Sequence, residues 1–220
     1  MIRVKTCCIA SIAEARLAIE HGATDLGLVA EMPSGVGPIP DDRILEITRA
    51  VAPPPRRFLL TAETTAAGIV DHVRRTGVDT VQLVDRVAPE VYPELRAALP
   101  DTTLVQVVHM RSDGDVTLAL SVAGDVDTLL LDTGNPDAAT RELGGTGRTH
   151  DWALSARVAS AARCPVYLAG GLRPDNVEQA IARVRPAGVD LCNGIRTDGR
   201  LDARKLSAFM AAVQRATAAA

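Results

Sequence analysis

The chain has 220 residues, long enough for a sizeable core and within the usual span of one domain. Its 47% hydrophobic and 23% charged residues are ordinary globular proportions, which excludes disordered, collagenous and coiled-coil classes. Aromatic residues at 2% supply no base-stacking platform, and a net charge of −3 supplies no basic field for nucleic acid or a membrane surface.

Taken in chain order, short apolar runs alternate with helical patterns. Ile2–Thr6 reads as a first strand. Ser11-Ile12-Ala13-Glu14 has the form of a capping box, predicting a helix to about Glu20 with Gly22 as its stop. Asp25–Val29 is the second strand, and Ile44, Ile47, Thr48 and Val51 mark one face of the next helix. Pro53-Pro54-Pro55 reads as a stiff turn before a strand at Phe58–Thr61. Strands then follow at Thr80–Val84, Leu104–His109, Thr128–Asp132, Val166–Ala169 and Val189–Cys192. The helices between them fall at 64–76, 89–98, 114–123 and 151–163. Val177, Ala180, Ile181 and Val184 form an apolar stripe after Pro174. Leu206, Phe209, Met210 and Val213 form another, behind Asp202 as N-cap, and the tail 217–220 is expected to fray.

The strands are continuous apolar runs, the pattern of parallel strands buried on both faces. Eight strand–helix units of about 27 residues each predict an α/β fold, a (β/α)8 TIM barrel, with residues 1–220 as one domain and no linker. The competitor is a doubly wound open sheet, because alternation alone does not report closure.

Four cysteines are too few for a disulfide scaffold, and a cytoplasmic setting with free thiols is expected. No C-x-x-C occurs and the histidines are scattered, so no metal site is predicted. The N-terminus lacks a signal peptide's apolar core, no apolar run is long enough to span a membrane, and no glycine signature of a nucleotide or flavin site opens a helix. No cofactor is expected.

Barrel sites form at the C-terminal ends of strands. Cys7 ends the first strand and is a candidate base or nucleophile; the plain alternative is a small buried hydrophobe. Cys8 reads as packing, as do Cys164 and Cys192. Asp132 follows Leu129-Leu130-Leu131, where it is either tuned for proton transfer or a cap or ion pair. The clusters Gly144-Gly145-Thr146-Gly147, Gly170-Gly171 and Asn193-Gly194 lie after strands six, seven and eight, where glycine backbones cradle phosphate or simply turn. Gly145, Gly170, Gly171, Asn193 and Gly194 are the phosphate candidates. His109, Arg111, Arg196 and Arg86 are candidates for touching substrate, with a buried polar residue or a solvated rim charge as the alternative. His21 and His72 read as surface.

Val4-Lys5-Thr6-Cys7, Leu129 to Asp132, Gly144 to Trp152, Leu168 to Val177 and Gly188 to Gly194 resemble phosphoribosylanthranilate isomerases in order and spacing. The resemblance implies a cofactor-free barrel catalysing an Amadori rearrangement of an N-(5-phosphoribosyl) amine. It implies Cys7 as general base, Asp132 as general acid, and the glycine loops as phosphate holders. It also shows departures. The family's glycine after the catalytic cysteine is Cys8, its arginine segment after strand two is Met32 to Ile39 without an arginine, and a familiar glutamate is Arg196. The expected partner is therefore a phosphorylated ribose-amine. Two alternatives stand: the same reaction on a different phosphoribosyl-amine, and a barrel that binds a phosphometabolite without turnover.

Overall fold

The computed structural model describes residues 2–33, 35–135, 137–138, 143 and 147–218. Eight strands, β1 (Arg3–Thr6), β2 (Asp25–Val29), β3 (Arg56–Thr61), β4 (Thr80–Leu83), β5 (Thr103–His109), β6 (Thr128–Asp132), β7 (Val166–Leu168) and β8 (Gly188–Leu191), form a closed parallel barrel in sequential order. The helices are α1 (Ile12–Glu20), α2 (Asp41–Ala50), α3 (Ala66–Thr76), α4 (Val91–Ala98), α5 (Asp113–Val122), α6 (Trp152–Ala161), α7 (Val177–Val184) and α8 (Ala203–Ala218). Closure is made by β1 against β8, in register from Arg3↔Gly188 to Thr6↔Leu191. That pairing rules out the open sheet.

Strand alternation divides the apolar residues into two cores. Val4, Leu28, Leu59, Val81, Leu129 and Val189 face outward and pack beneath the helices. Val29, Phe58, Leu60, Val105, Leu130 and Tyr167 face inward and fill the barrel. At the N-terminal end of the barrel, Asp25 gathers Arg3, Arg56 and Tyr167; the Tyr167 hydroxyl donates to its carboxylate at 2.9 Å. Gly188 makes room for that tyrosine, since a Cβ there would stand 2.6 Å from the ring.

The Asp202 signal acts as expected. Asp202 accepts the Arg204 and Lys205 amides at the start of α8, and α3 stops at Gly77 with φ 65°. Three features differ from the sequence reading. A 3₁₀ turn at Asn193–Ile195 and a short hairpin, β9 (Arg196–Thr197) with β10 (Arg200–Leu201), sit between β8 and α8. His72 is not a surface residue: it is 7% exposed and bridges Thr61 Oγ1 and Asp41 Oδ1, because its face of α3 packs on the end of β3. Of the predicted frayed tail, 217 and 218 are helical, and 219–220 lie outside the described residues. Among the described residues no helix is long and apolar enough to cross a membrane.

Gly188→Val should destabilise the barrel by roughly 1–3 kcal/mol through overpacking against Tyr167. Urea unfolding checks this; an unchanged midpoint would mean the ring has room to move.

Candidate active site

A cavity of about 210 Å³ opens at the C-terminal ends of the strands. Cys7, Asp132, Asp190 and Gln82 border it, together with Gly170, Gly171, Asn193 and Gly194. Val29, Met32, Val36, Leu60, Val84 and Leu143 supply an apolar wall.

Cys7 is the first residue beyond β1, and its amide still donates to Leu191 O at 2.9 Å. Its thiol lies beside Gly27, where a Cβ would stand 2.7 Å from Sγ and 3.1 Å from the Lys5 ammonium. Only glycine leaves both groups their space. Lys5 is fully buried and its Nζ reaches Asp190 Oδ2 at 2.9 Å. Burial alone would drive the Lys5 pKa down; Asp190 and Cys7 reverse this and hold it above the usual lysine value. Burial pushes the Cys7 thiol up to about 11; Lys5 opposes the rise and Asp190 adds to it. The site therefore does not hold a thiol near its ordinary value.

Asp132 closes β6, and its Oδ1 accepts the Thr133 amide at 2.7 Å. Burial raises its carboxyl to about 7, against the Thr133 hydrogen bond; Asp190 adds to the rise and Lys5 opposes it. Thr133 is propped in turn by His150, whose ring nitrogens reach Thr133 Oγ1 at 3.0 Å and Ser155 Oγ at 2.6 Å. Burial lowers the His150 pKa to about 4, so this prop is neutral.

The loops after β7 and β8 interlock backbone to backbone. Gly170 and Gly171 have φ of 84° and 62°. A Cβ on Gly171 would stand 2.7 Å from the Arg148 carbonyl carbon, and one on Gly194 2.2 Å from Leu172 O. Arg173 also borders this end and pairs with Asp175 at 3.0 Å. Sequence reasoning did not single out Arg173, Lys5, Asp190, Gln82 or His150.

Other candidates fall elsewhere. Arg196 does not face the cavity. It pairs with Glu14 at 3.1 Å and donates to the carbonyls of Cys7 and Cys8, so it props the β1 end from outside. Glu14 correspondingly leaves its local capping-box role: it accepts the Ala10 and Leu201 amides and holds Arg196. His109 and Arg111 at the end of β5, and Arg86 in the loop after β4, border a separate small cavity beside Tyr92 and Gln106. His109 Nε2 lies 3.3 Å from Val84 O, and Arg111 pairs with Asp137 at 2.8 Å. Gly145 lies outside the described residues.

The expectation of free thiols holds for Cys7 and Cys164 but not for the other two. Cys8 and Cys192 form a disulfide with Cα atoms 6.0 Å apart, a normal span for such a bond. Cys8 is not strand packing. It has φ 63°, in the left-handed region that glycine favours, and this turns its side chain toward β8.

A sequence profile described as N-(5'phosphoribosyl)anthranilate (PRA) isomerase matches residues 4–212. The chain belongs to this family. An N-(5'-phosphoribosyl)anthranilate isomerase of Haloferax volcanii is 36% identical over 225 residues, covering 100% of this chain and 96% of the relative. One from Methanocella arvoryzae is 32% identical over 200 residues, covering 91% and 92%. Among solved structures, the Thermotoga maritima phosphoribosyl anthranilate isomerase superposes with a TM-score of 0.83 at 27% identity, covering 98% of this chain and 100% of that one. A family structure in complex with reduced 1-(o-carboxyphenylamino)-1-deoxyribulose 5-phosphate superposes with a TM-score of 0.81 at 25% identity, covering 98% and 100%.

Two titrations test the electrostatics. Thiolate absorbance, taken as the difference between the parent chain and Cys7→Ser, should rise with a midpoint near pH 11. A midpoint below the ordinary thiol value would overturn the assignment of burial as the dominant cause. Asp132 binds its proton more tightly folded than unfolded, so it costs stability as pH rises from the ordinary carboxylate value to about 7. Asp132→Asn should therefore melt roughly a few degrees higher than the parent at pH 8, with the gap closing below about pH 4.

Proposed function

We propose that the chain is a phosphoribosylanthranilate isomerase of tryptophan biosynthesis, with Cys7 as general base and Asp132 as general acid. The observation that carries this reading is a thiol and a proton-retaining carboxyl bordering one cavity, beside two interlocked glycine loops.

The chemistry suits these groups. Asp132 gives its proton to the ribose ring oxygen as the C1′–O4′ bond breaks, and the amine lone pair forms the C1′=N bond. Cys7 as thiolate takes the C2′ proton, and the electrons left on carbon form the C1′=C2′ enolamine. Protonation at C1′ and loss of the O2′ proton then give the ketose. Gly170, Gly171, Asn193 and Gly194 surround the phosphate, with Arg173 adding positive charge at that end. The apolar wall of Met32, Val36, Leu60 and Val84 receives the aromatic amine. No cofactor enters any step.

The two titrating groups lie in inverted order, the acid near 7 and the base near 11. Between those values the pair holds one proton, and the productive form is the one in which Asp132 rather than Cys7 carries it. The pair shares the resulting pH profile. kcat/KM should fall about tenfold per unit below roughly pH 7 and stay flat from there to about pH 11.

Expression in a strain lacking the tryptophan-pathway isomerase should restore growth without tryptophan. Soluble protein that fails to restore growth would shift the reading to a different phosphoribosyl-amine. Cys7→Ser and Asp132→Asn should each lower kcat by at least about 10²-fold. Unchanged turnover in both would remove their assigned roles, and ligand binding with no turnover in the parent would favour a binding barrel.

A further inference from the structure

Asp132 stands where β6 ends, and its two ends are held differently. Its backbone stays in the barrel sheet, where Asp132 O accepts the Met110 amide at 3.0 Å. Its carboxyl is held by the next residue, whose amide donates to Oδ1 at 2.7 Å. An amide aimed at a carboxylate from the adjacent position keeps that aim only while the backbone there keeps its conformation. Thr133 is one residue past β6, so the strand ladder does not impose that conformation.

His150 supplies a hold from the next unit. Its Nδ1 lies 3.0 Å from Thr133 Oγ1 and its Nε2 2.6 Å from Ser155 Oγ. Ser155 is fully buried on α6, and Asp151 caps that helix by accepting the Ala153 amide at 2.9 Å. The imidazole is thus strapped to its own helix and reaches from there to the end of β6. Burial lowers its pKa to about 4, with Asp151 opposing, so one ring nitrogen donates while the other accepts. That suits a bridge between two hydroxyls, each of which can do either. Thr133 also abuts the loop after β7, since a Cβ on Gly170 would stand 3.1 Å from the Thr133 nitrogen. Thr133 therefore touches both the acid and the phosphate-holding loop.

We propose that His150 is a positioning residue: through the Thr133 hydroxyl it keeps the Thr133 amide on the Asp132 carboxylate and keeps Thr133 seated against Gly170. This rests on the isomerase reading above and deepens it, by naming what aims the general acid. His150 touches no reacting atom and moves no proton. It acts on how readily Asp132 gives its proton up, because a hydrogen bond to the ionised carboxylate favours that form. Loosening Thr133 removes that preference and moves the Asp132 midpoint above about 7. The other groups facing Asp132 are Asp190 from β8, Lys5 from β1 and Cys7 just beyond it, and none of them contacts His150 through a printed bond.

The test follows the Asp132 carboxyl by NMR in the full chain with isotope-labelled aspartate and no substrate, the signal being assigned by its loss in Asp132→Asn. His150→Phe keeps a ring but neither nitrogen. It should raise the Asp132 midpoint by about half to one unit, move the acid limb of kcat/KM by the same amount, and lower kcat about three- to tenfold. Thr133→Val removes the hydroxyl but keeps the amide, and should give the same shifts. The double variant should add nothing further, since both changes break one link. His150→Asn, whose side-chain amide still bonds a hydroxyl at the Nδ1 position, should stay within about twofold of the parent in kcat. An unmoved midpoint and acid limb in folded His150→Phe would overturn the proposal even if that variant melts lower, and so would additive shifts in the double variant. Should His150→Phe not fold, Thr133→Val carries the same expectation and the same refutation. A parent that does not turn over phosphoribosylanthranilate, yet shows the raised Asp132 midpoint in His150→Phe, would end the isomerase reading and leave the positioning of Asp132 intact.

Discussion

Closure of β1 against β8 is the constraint on which the site depends. The register that pairs Lys5 with Asp190 is also the one that puts Cys7 one step beyond Leu191. At this seam the first and last strands supply the thiol, the buried ion pair and the loop carrying Asn193 and Gly194. Arg196, from just after β8, clamps the carbonyls of Cys7 and Cys8 from outside. A slip of one residue would turn Lys5 and Cys7 outward, because side chains alternate along a strand. Register here is therefore a functional quantity as well as a structural one.

Burial governs the chemistry more than any single contact does. It raises both titrating groups that border the cavity, Cys7 and Asp132, and the two differ because Cys7 starts from a higher ordinary value. Of the Lys5–Asp190 pair, Lys5 opposes each rise and Asp190 adds to it. Breaking such a pair by removing one partner leaves an uncompensated buried charge, which typically costs about 3–5 kcal/mol. The site thus accepts an expensive ionic floor, and the glycine at position 27 is the space that lets the ammonium and the thiol share it.

Much of the architecture was legible because parallel strands bury both faces and read as short apolar runs. Asp25–Val29 and Thr128–Asp132 have the bounds expected, and the strand ends led directly to Cys7 and Asp132. What stayed hidden depends on contacts between distant parts of the chain. The Cys8–Cys192 bond spans 184 residues and forms only because the barrel closes. Glu14 satisfied a local capping pattern, so its service to Arg196 and Leu201 left no local trace. His72 looked exposed because its partners, Thr61 at the end of β3 and Asp41 at the start of α2, lie 11 and 31 residues away in the chain. Gln82 and Asp190 did leave a signal: a lone polar residue between two outward apolar ones in Val81-Gln82-Leu83 and Val189-Asp190-Leu191. Reading it required knowing which face was the lumen.

The bond between Cys8 and Cys192 makes most of the polypeptide a covalent loop. A protease nick in any surface turn between those two residues would leave a single molecule, with its fragments still tethered until a reductant was added. On a chain-entropy estimate, a loop of this length restricts the unfolded chain by about 5 kcal/mol. The thiol assigned to catalysis lies one residue outside that loop, on the short amino-terminal arm, next to the very link that would hold a cleaved molecule together.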